Sequence, residues 1–221
     1  MGSLTLTNLE TEVWLSLEHH TDADPADATS QAHLDRWINQ AYLRISLPTT
    51  FPHPELQETQ TVTLVTSTQS YALTSTRWAI DHIRYVDRNR NLKRVSKEAL
   101  DRVNTTNTGE PSWYARWGNT IYLNRTPSSN ENGDTLTVFT WQIPTLLTTG
   151  ASTTVLRSIF DEPLVELAAA IGWRRLGDFA RADAHLTTYA ALLNDIRTLD
   201  TIEGLQDTTG IELENLREDY Q

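Results

Sequence analysis

Hydrophobic residues near the start of the chain recur at helical spacing. The first such set is Leu6, Leu9, Val13 and Leu17. Successive members lie three or four residues apart and therefore share one face of a helix. Thr7 followed by Glu10 fits a capping box, which predicts a short first helix that begins near Thr7.

A second set with the same spacing follows the polar stretch "HHTDADPADATS". Its members are Leu34, Trp37, Ile38, Ala41, Tyr42 and Ile45. They predict a longer second helix with one apolar face. The three prolines of "LPTTFPHPE" end this helix, because proline interrupts helical hydrogen bonding.

Within residues 59–144 apolar and polar positions alternate, which is typical of strands. The first segments of this kind are "TQTVTLVTS", "SYALT", "IRYVD" and "LKRVS", and "KEALDRV" predicts one or two helical turns. "SWYARWGNTIYLN" predicts a hairpin about Gly118 and Asn119. "ENGDTLTVFTWQIP" predicts a last strand after the turn pair Asn132 and Gly133. The pattern indicates an antiparallel β unit of about six strands.

Helical spacing returns at Asp161, Glu162 and Pro163, which are residue types that favour a helix start. The residues that follow on one face are Leu164, Leu167, Ala168 and Ile171. Gly177 and Asp178 then supply a C-terminal glycine and an N-cap, as in a tight helical hairpin. The second helix of this hairpin carries a narrow apolar seam, Phe179, Ala182, Leu186, Tyr189, Leu193 and Ile196.

The order of these elements predicts an α+β fold, a four-helix body with an inserted antiparallel β unit. Each helix pair carries one apolar stripe, so the two pairs must cover each other. We expect residues 1–50 and 155–200 to form the helical body and residues 55–150 to form the β domain. Residues 201–221 hold six acids and one arginine, which predicts an extended acidic C-terminal arm that orders on a partner.

Charge and composition exclude several classes of function. The 221 residues include 29 acids and 18 basic residues, a formal net charge of −11, which disfavours binding to DNA phosphates. No cysteine is present, which excludes disulfides, thiolate metal sites and thiol nucleophiles. No apolar run approaches the roughly 20 residues that span a bilayer, and the first residues do not resemble a secretion signal. A soluble protein is expected.

Signatures of catalysis are missing from the sequence. It contains no HExxH, G-x-S-x-G or G-x-x-x-x-G-K-[ST], and no G-x-G-x-x-G after a strand. The nearest candidate for a metal site is the loop with His19, His20, Asp22, Asp24 and Asp27. It lacks the glycine and the final glutamate of a calcium loop, which favours a solvated loop with helix-capping aspartates. We predict no enzyme activity, no catalytic residue, no metal and no cofactor.

Aromatic residues crowd one predicted hairpin and allow two interpretations. They are Trp113, Tyr114, Trp117 and Tyr122. Stacked aromatic rings bind sugars or unpaired bases. Alternation along a strand places Trp113, Ala115 and Trp117 on one face, which favours the other interpretation, that both tryptophans line a small core.

Positive charge concentrates in the arginine corner, which we define as Arg174, Arg175 and Arg181. Arginine near a helix C-terminus is favoured by the helix dipole, so ordinary surface charge is one interpretation. The other is that the corner binds acids on a neighbouring subunit or partner. Apolar residues spaced along the acidic arm predict a further partner contact, namely Ile211, Leu213, Leu216 and Tyr220.

Three stretches together resemble a known family. They are "LDRWINQAYLRIS" (34–46), "GEPSWYARWGNTIYLNRTP" (109–127) and "FDEPLVELAAAIGWRRLGDFARADAHLTTYAALLNDI" (160–196). In content and order the sequence resembles the head-to-tail adaptor, or connector, proteins of tailed bacteriophages, such as the tail tubular protein A of short-tailed phages and related neck proteins. The similarity covers most of the chain, and none of its motifs is catalytic.

The resemblance implies a structural virion protein of the neck, assembled in the bacterial host cytoplasm. Such proteins form rings, commonly of about twelve copies, beneath the portal and bind tail or nozzle proteins on the other face. It also implies that the helical body contacts the portal and neighbouring subunits, and that the C-terminal arm docks into the portal. DNA would pass a negatively charged lumen without specific binding, and no membrane is implied. The alternative is a carbohydrate-binding or adhesion module of a phage tail or surface protein.

Overall fold

The computed structural model describes residues 4–18, 20, 26–47, 50, 53–74, 77–102 and 107–218. For residues 28, 77, 78 and 200–218 it describes the backbone alone. The fold is mixed α+β, as predicted. The chain divides into two compact units: unit 1 is Met1–Ile45 with Thr145–Gln221, and unit 2 is Ser46–Pro144.

The described part of the chain contains five α-helices. They are α1 (Leu6–Ser16), α2 (Ala28–Ile45), α3 (Lys97–Arg102), α4 (Asp161–Leu176) and α5 (Phe179–Glu218). All except α3 belong to unit 1. The predicted apolar face of α2 is confirmed, since every residue of that set is buried.

The central helix of unit 1 is α4, which contacts α1, α2 and α5. Apolar residues are buried on all sides of it, including Val165, Ala169 and Ala170, which lie outside the predicted stripe. The prediction of a single stripe on α4 is therefore wrong, because a helix with three helical neighbours needs an apolar surface all round. Gly172 allows α4 to approach Leu17 and Trp37 closely because it has no side chain. A Cβ at this position would lie 3.1 Å from both Leu17 Cδ2 and Trp37 Cε3.

The first helix begins earlier than the capping box predicted. Thr5 is the N-cap of α1, and its Oγ1 accepts a hydrogen bond from the backbone N of Asn8 at 3.3 Å. The backbone N of Thr7 instead donates to the carbonyl of Gly150 at 3.2 Å, because the returning chain runs beside this helix start. The capping box of Thr7 and Glu10 is therefore wrong.

Glu10 is buried where α1 meets α2, with 3% of its surface exposed. Its Oε1 accepts a hydrogen bond from Gln31 Nε2 at 3.3 Å, and its carboxyl group also hydrogen-bonds to Asp35. Burial, and then the hydrogen bond with Asp35, raise the pKa of Glu10 to about 7. Below this pH Glu10 is protonated.

The predicted helical hairpin is confirmed. Gly177 ends α4 with a φ of 89°, in the left-handed region that favours glycine. Asp178 caps α5, since its Oδ1 accepts a hydrogen bond from the backbone N of Arg181 at 3.0 Å. The tight turn brings α5 back along α4.

Most of the predicted seam of α5 packs inward, at Ala182, Leu186, Tyr189, Leu193 and Ile196. The exception is Phe179, which is 64% exposed. It lies in the first turn of α5, past the end of α4 at Leu176, so its place in the seam was predicted wrongly. The α5 backbone stays helical through Glu218, so residues 201–218 of the acidic arm (residues 201–221) continue α5 without a break at residue 201.

The chain re-enters unit 1 against α2. Asn39 Nδ2 donates to the carbonyl of Leu147 at 2.9 Å, and Asn39 Oδ1 accepts from the backbone N of Leu147 at 2.9 Å. The Tyr42 hydroxyl accepts a hydrogen bond from the backbone N of Val155 at 3.0 Å. Two side chains of α2 thus hold the returning segment.

Eight short strands, rather than about six, form the described part of unit 2. They are β1 (Gln57–Thr63), β2 (Ser70–Ala72), β3 (Arg77–Tyr85), β4 (Arg90–Asn91), β5 (Lys93–Arg94), β6 (Trp113–Trp117), β7 (Thr120–Leu123) and β8 (Thr135–Gln142). They make two four-stranded sheets, ordered β1-β8-β3-β4 and β2-β7-β6-β5. The described strand pairs are antiparallel except β5 with β6, which is parallel. Residues of both sheets share one core, among them Val62, Ile83, Tyr114, Ile121 and Val138.

The turns that the sequence predicted in unit 2 are confirmed. Gly118 has a φ of 58° between β6 and β7, where Trp117 pairs with Thr120. Gly133 has a φ of 91° two residues before β8 begins. Both glycines adopt the left-handed conformation that such turns require.

Candidate functional site

Two residues of the arginine corner are paired within the chain. Arg174 Nη2 lies 3.2 Å from Asp183 Oδ1. Arg181 Nη1 lies 2.7 Å from Glu18 Oε2, and the Arg181 guanidinium sits 4.5 Å above the Trp173 ring. These pairs are exposed at the surface, where an ion pair contributes about 0 to 1 kcal/mol.

The third residue, Arg175, has no ion pair with any side chain that the structure describes. It is exposed at the last turn of α4 and faces α2. Of the arginine corner, Arg175 is therefore the residue whose charge the described chain leaves available for a partner.

Arg175 lies in a shallow groove of unit 1 between α2, α4 and the start of α5. The groove comprises two adjoining depressions of about 230 and 360 Å³, which share Gln40 and Arg175. We call it the arginine groove and define it by its lining, His33, Arg36, Trp37, Gln40, Arg44, Leu167, Ala170, Ile171, Arg174, Arg175, Leu176 and Leu186. No carboxylate belongs to the part of this lining that the structure describes.

Helix geometry explains how the cations converge. Arg36, Gln40 and Arg44 follow one another at intervals of four residues and so share one face of α2. Arg174 and Arg175 face them from the last turn of α4. Four guanidinium groups thus line one groove in a chain of net charge −11.

The floor of the arginine groove is apolar. Trp37, Leu167 and Ala170 are buried beneath it, and Leu186 is half-buried at its side. Sequence reasoning missed Arg36 and Arg44 as members of this surface. The four-residue spacing was visible, but that α2 lies beside the end of α4 was not.

The other predicted partner-binding residues lie in the acidic arm. Ile211, Leu213 and Leu216 are on the helical backbone of α5, and their side chains lie outside the described residues. Tyr220 lies outside the described residues altogether. Their contact with a partner stays a prediction.

Trp113 and Trp117 do not line a core, and that prediction is wrong. Trp117 is 69% exposed and Trp113 is 36% exposed, whereas Tyr114 is buried in the core shared by the two sheets. The alternation along β6 is as predicted, but the opposite face turns inward. The six-residue α3 packs against β6, which buries Ala115 and leaves the tryptophans on either side exposed.

A further depression, of about 640 Å³, lies on the sheet of unit 2 that contains β1, β8 and β3. There the His82 ring stacks on Phe139 with a centroid distance of 4.2 Å, and His82 Nδ1 is 2.9 Å from Asp81 Oδ2. Sequence reasoning missed this surface, because the pairing of His82 with Phe139 depends on the register of β3 against β8.

The loop considered for a metal is described only in part. Asp27 caps α2, since its Oδ2 accepts a hydrogen bond from the backbone N of Ser30 at 2.9 Å. Hydrogen bonds from Ser30 hold the pKa of Asp27 below its ordinary value. His19, Asp22 and Asp24 lie outside the described residues. In the part of the chain that is described, no group of three or more potential ligands could hold a metal ion.

None of the helices in the described ranges combines the length and the hydropathy that a membrane span needs.

No curated protein matches the chain. The family model described as SU10 adaptor protein, however, matches residues 4–209, a range that includes all of unit 2 and most of unit 1. The match agrees with the resemblance to head-to-tail adaptors, whereas the narrower likeness to tail tubular protein A stays a prediction. The chain therefore belongs to the SU10 adaptor protein family and is a phage head-to-tail adaptor.

Proposed function

We propose that this adaptor forms a ring beneath the portal, extends the DNA channel and offers its other face to tail or nozzle proteins. The ring has about twelve copies, and the protein is a structural component of the virion neck without enzyme activity. The observation that carries the proposal is the family match over residues 4–209.

The charge of the chain supports a role as a channel wall. A net charge of −11 repels phosphate, so DNA slides past such a surface without specific binding. Positive charge that is gathered in one groove, by contrast, suits a contact with protein carboxylates.

The arginine corner and the acidic arm are the parts of unit 1 that face other chains in this proposal. The helical body already buries most of its apolar residues within the subunit, as at Leu164, Ala168 and Ile171. Contacts with the portal, the tail and neighbouring copies are therefore left to the exposed Arg175 and to the apolar residues of the arm. The latter are Ile211, Leu213, Leu216 and Tyr220.

Electron microscopy of the purified adaptor mixed with the portal tests the proposal. We expect a ring of adaptor density on one face of the portal, coaxial with its channel. A monomer in isolation is compatible with this, because the portal provides the template for assembly. An adaptor that stays monomeric and does not bind the portal under any condition refutes the proposal.

The alternative, a carbohydrate-binding module, concerns Trp117 and Trp113. Their exposure means that an alanine substitution removes a stacking surface without opening a cavity in the core. Glycan binding that is lost in Trp117→Ala with unchanged stability supports the alternative. Wild-type protein that binds no glycan on an array contradicts it.

A further inference from the structure

The arginine groove concentrates like charges on one surface. Arg36 and Arg44 on α2 approach Arg174 and Arg175 on α4, and no acidic residue belongs to the described lining between them. Arg174 is paired with Asp183 outside this lining, whereas Arg36 and Arg175 form no ion pair with any described side chain. Like charges that are brought together repel each other, and the repulsion is relieved when an anionic group binds between them. The groove therefore suits an acidic partner.

The apolar floor restricts the kind of acidic partner. Leu176 and Leu186 line the groove and are half-buried. A ligand that fills the groove therefore needs apolar groups as well as carboxylates. An amphipathic protein segment supplies both, whereas a nucleic acid backbone supplies anions alone.

The acidic arm of this same chain has that composition. Its last part, "IELENLREDY" (211–220), alternates the apolar residues Ile211, Leu213 and Leu216 with glutamates. The whole arm carries six acids and one arginine. Its charge is opposite to that of the groove, and its apolar residues match the floor.

The arm of one copy cannot reach the groove of that copy. Among the described side chains of α5, Leu186 lines the groove, and α5 is a continuous helix through Glu218. At about 1.5 Å per residue, Ile211 lies about 38 Å further along the helix than Leu186. Binding in the groove therefore requires an arm from another copy.

We propose that the acidic arm of one copy binds in the arginine groove of an adjacent copy. The contact is heterologous, since each copy donates an arm and receives one, and such contacts close into a ring when the rotation between copies allows it. This inference rests on the proposed ring and names the segments that hold adjacent copies together.

A peptide-binding experiment tests the contact independently of any ring. A fluorescently labelled peptide of residues 201–221 is titrated with the full-length adaptor, and binding is followed by anisotropy at low and high salt. We expect binding that weakens with salt and that falls by about tenfold or more in Arg175→Glu and in Arg36→Glu. Arg125→Glu, an exposed substitution in unit 2, is the matched control and leaves binding unchanged.

Two results of this titration overturn the inference. One is a peptide that does not bind, and the other is a peptide that binds equally to wild type and to both groove variants. If the portal binds wild type but not Arg175→Glu while the peptide does not bind, the groove takes a portal segment, and the proposed function stands without the arm contact.

Cysteine cross-linking gives a second readout in the assembled adaptor, because the chain has no cysteine of its own. Gln40→Cys is placed in one preparation and Glu214→Cys in another, and the two are mixed with the portal and oxidised. We expect a covalent dimer only in the mixture. A chain with both substitutions that forms an internal disulfide within a monomer contradicts binding between copies. A ring that shows no cross-link also contradicts it, whereas absence of any ring counts against the proposed function alone.

Discussion

Removing the buried acid Glu10 is expected to make the adaptor more stable at neutral to basic pH. Glu10→Gln keeps the size of the side chain and its hydrogen bonding to Asp35, but it cannot ionise. In the wild type, Glu10 loses its proton as the pH rises through about 7. Above that pH Glu10 carries a negative charge in a buried contact between α1 and α2.

The magnitude follows from the shift in pKa. The pKa of Glu10 is about 7 in the folded chain, against 4.5 as its ordinary value. Because the folded pKa is the higher one, the folded state binds the proton more tightly, and this stabilisation is complete below the ordinary pKa. It is lost as the pH rises through the folded pKa, and it amounts to about 3 kcal/mol.

Urea unfolding of wild type and Glu10→Gln at a series of pH values from about 5 to about 8 measures this effect. We expect equal unfolding free energies, within about 1 kcal/mol, at the acidic end and a variant that is more stable by about 2 to 3 kcal/mol at the basic end. Asp27 and Glu131, whose pKa values are lowered, lose their contributions only at pH values below this range. Glu12→Gln, exposed on the same helix, is the control for the change in net charge. If the unfolding free energies of wild type and Glu10→Gln change in parallel with pH across this range, the reasoning is refuted.

Four further substitutions are expected to separate structural from exposed positions, all measured by urea unfolding. Gly177→Ala lowers the unfolding free energy by about 1 kcal/mol, because alanine is strained at a φ of 89°; an unchanged value would mean that the hairpin tolerates another turn. Trp117→Ala changes the unfolding free energy by less than about 0.5 kcal/mol, whereas Tyr114→Ala in the same strand lowers it by about 3 to 5 kcal/mol. Equal losses would contradict the assignment of faces on β6. Asn39→Ala lowers stability by about 1 to 3 kcal/mol through loss of both hydrogen bonds to Leu147, and a neutral result would show that the returning segment is held by other contacts.

Local chemistry in the sequence predicted the turns and caps well. Gly177 with Asp178, Gly118 and Gly133 occupy the turns expected of them, because their conformations depend on neighbouring residues alone. Thr7 and Glu10 are the exception. They have the spacing of a capping box, but the returning chain at Gly150 and the contact with Asp35 engage them instead.

Predictions that depended on which neighbour an element meets were less successful. The alternation of β6 was correct, yet it could not show that Tyr114 rather than Trp113 and Trp117 faces the core. The arginine groove was missed for the same reason. Arg36 and Arg175 are distant in sequence and lie close together only because α2 packs beside α4. A single sequence does not contain that proximity.

The division of unit 1 into two sequence segments affects the order in which the chain folds during synthesis. Unit 2 is continuous in sequence from Ser46 to Pro144. In contrast, α2 cannot pack against α4 until α4, which begins at Asp161, has been synthesised. At roughly 5 to 20 residues per second, α1 and α2 leave the ribosome on the order of ten seconds before their partner helix is complete. We therefore expect unit 2 to be the first folded part of a nascent adaptor, with the apolar face of α2 exposed to chaperones in the interval.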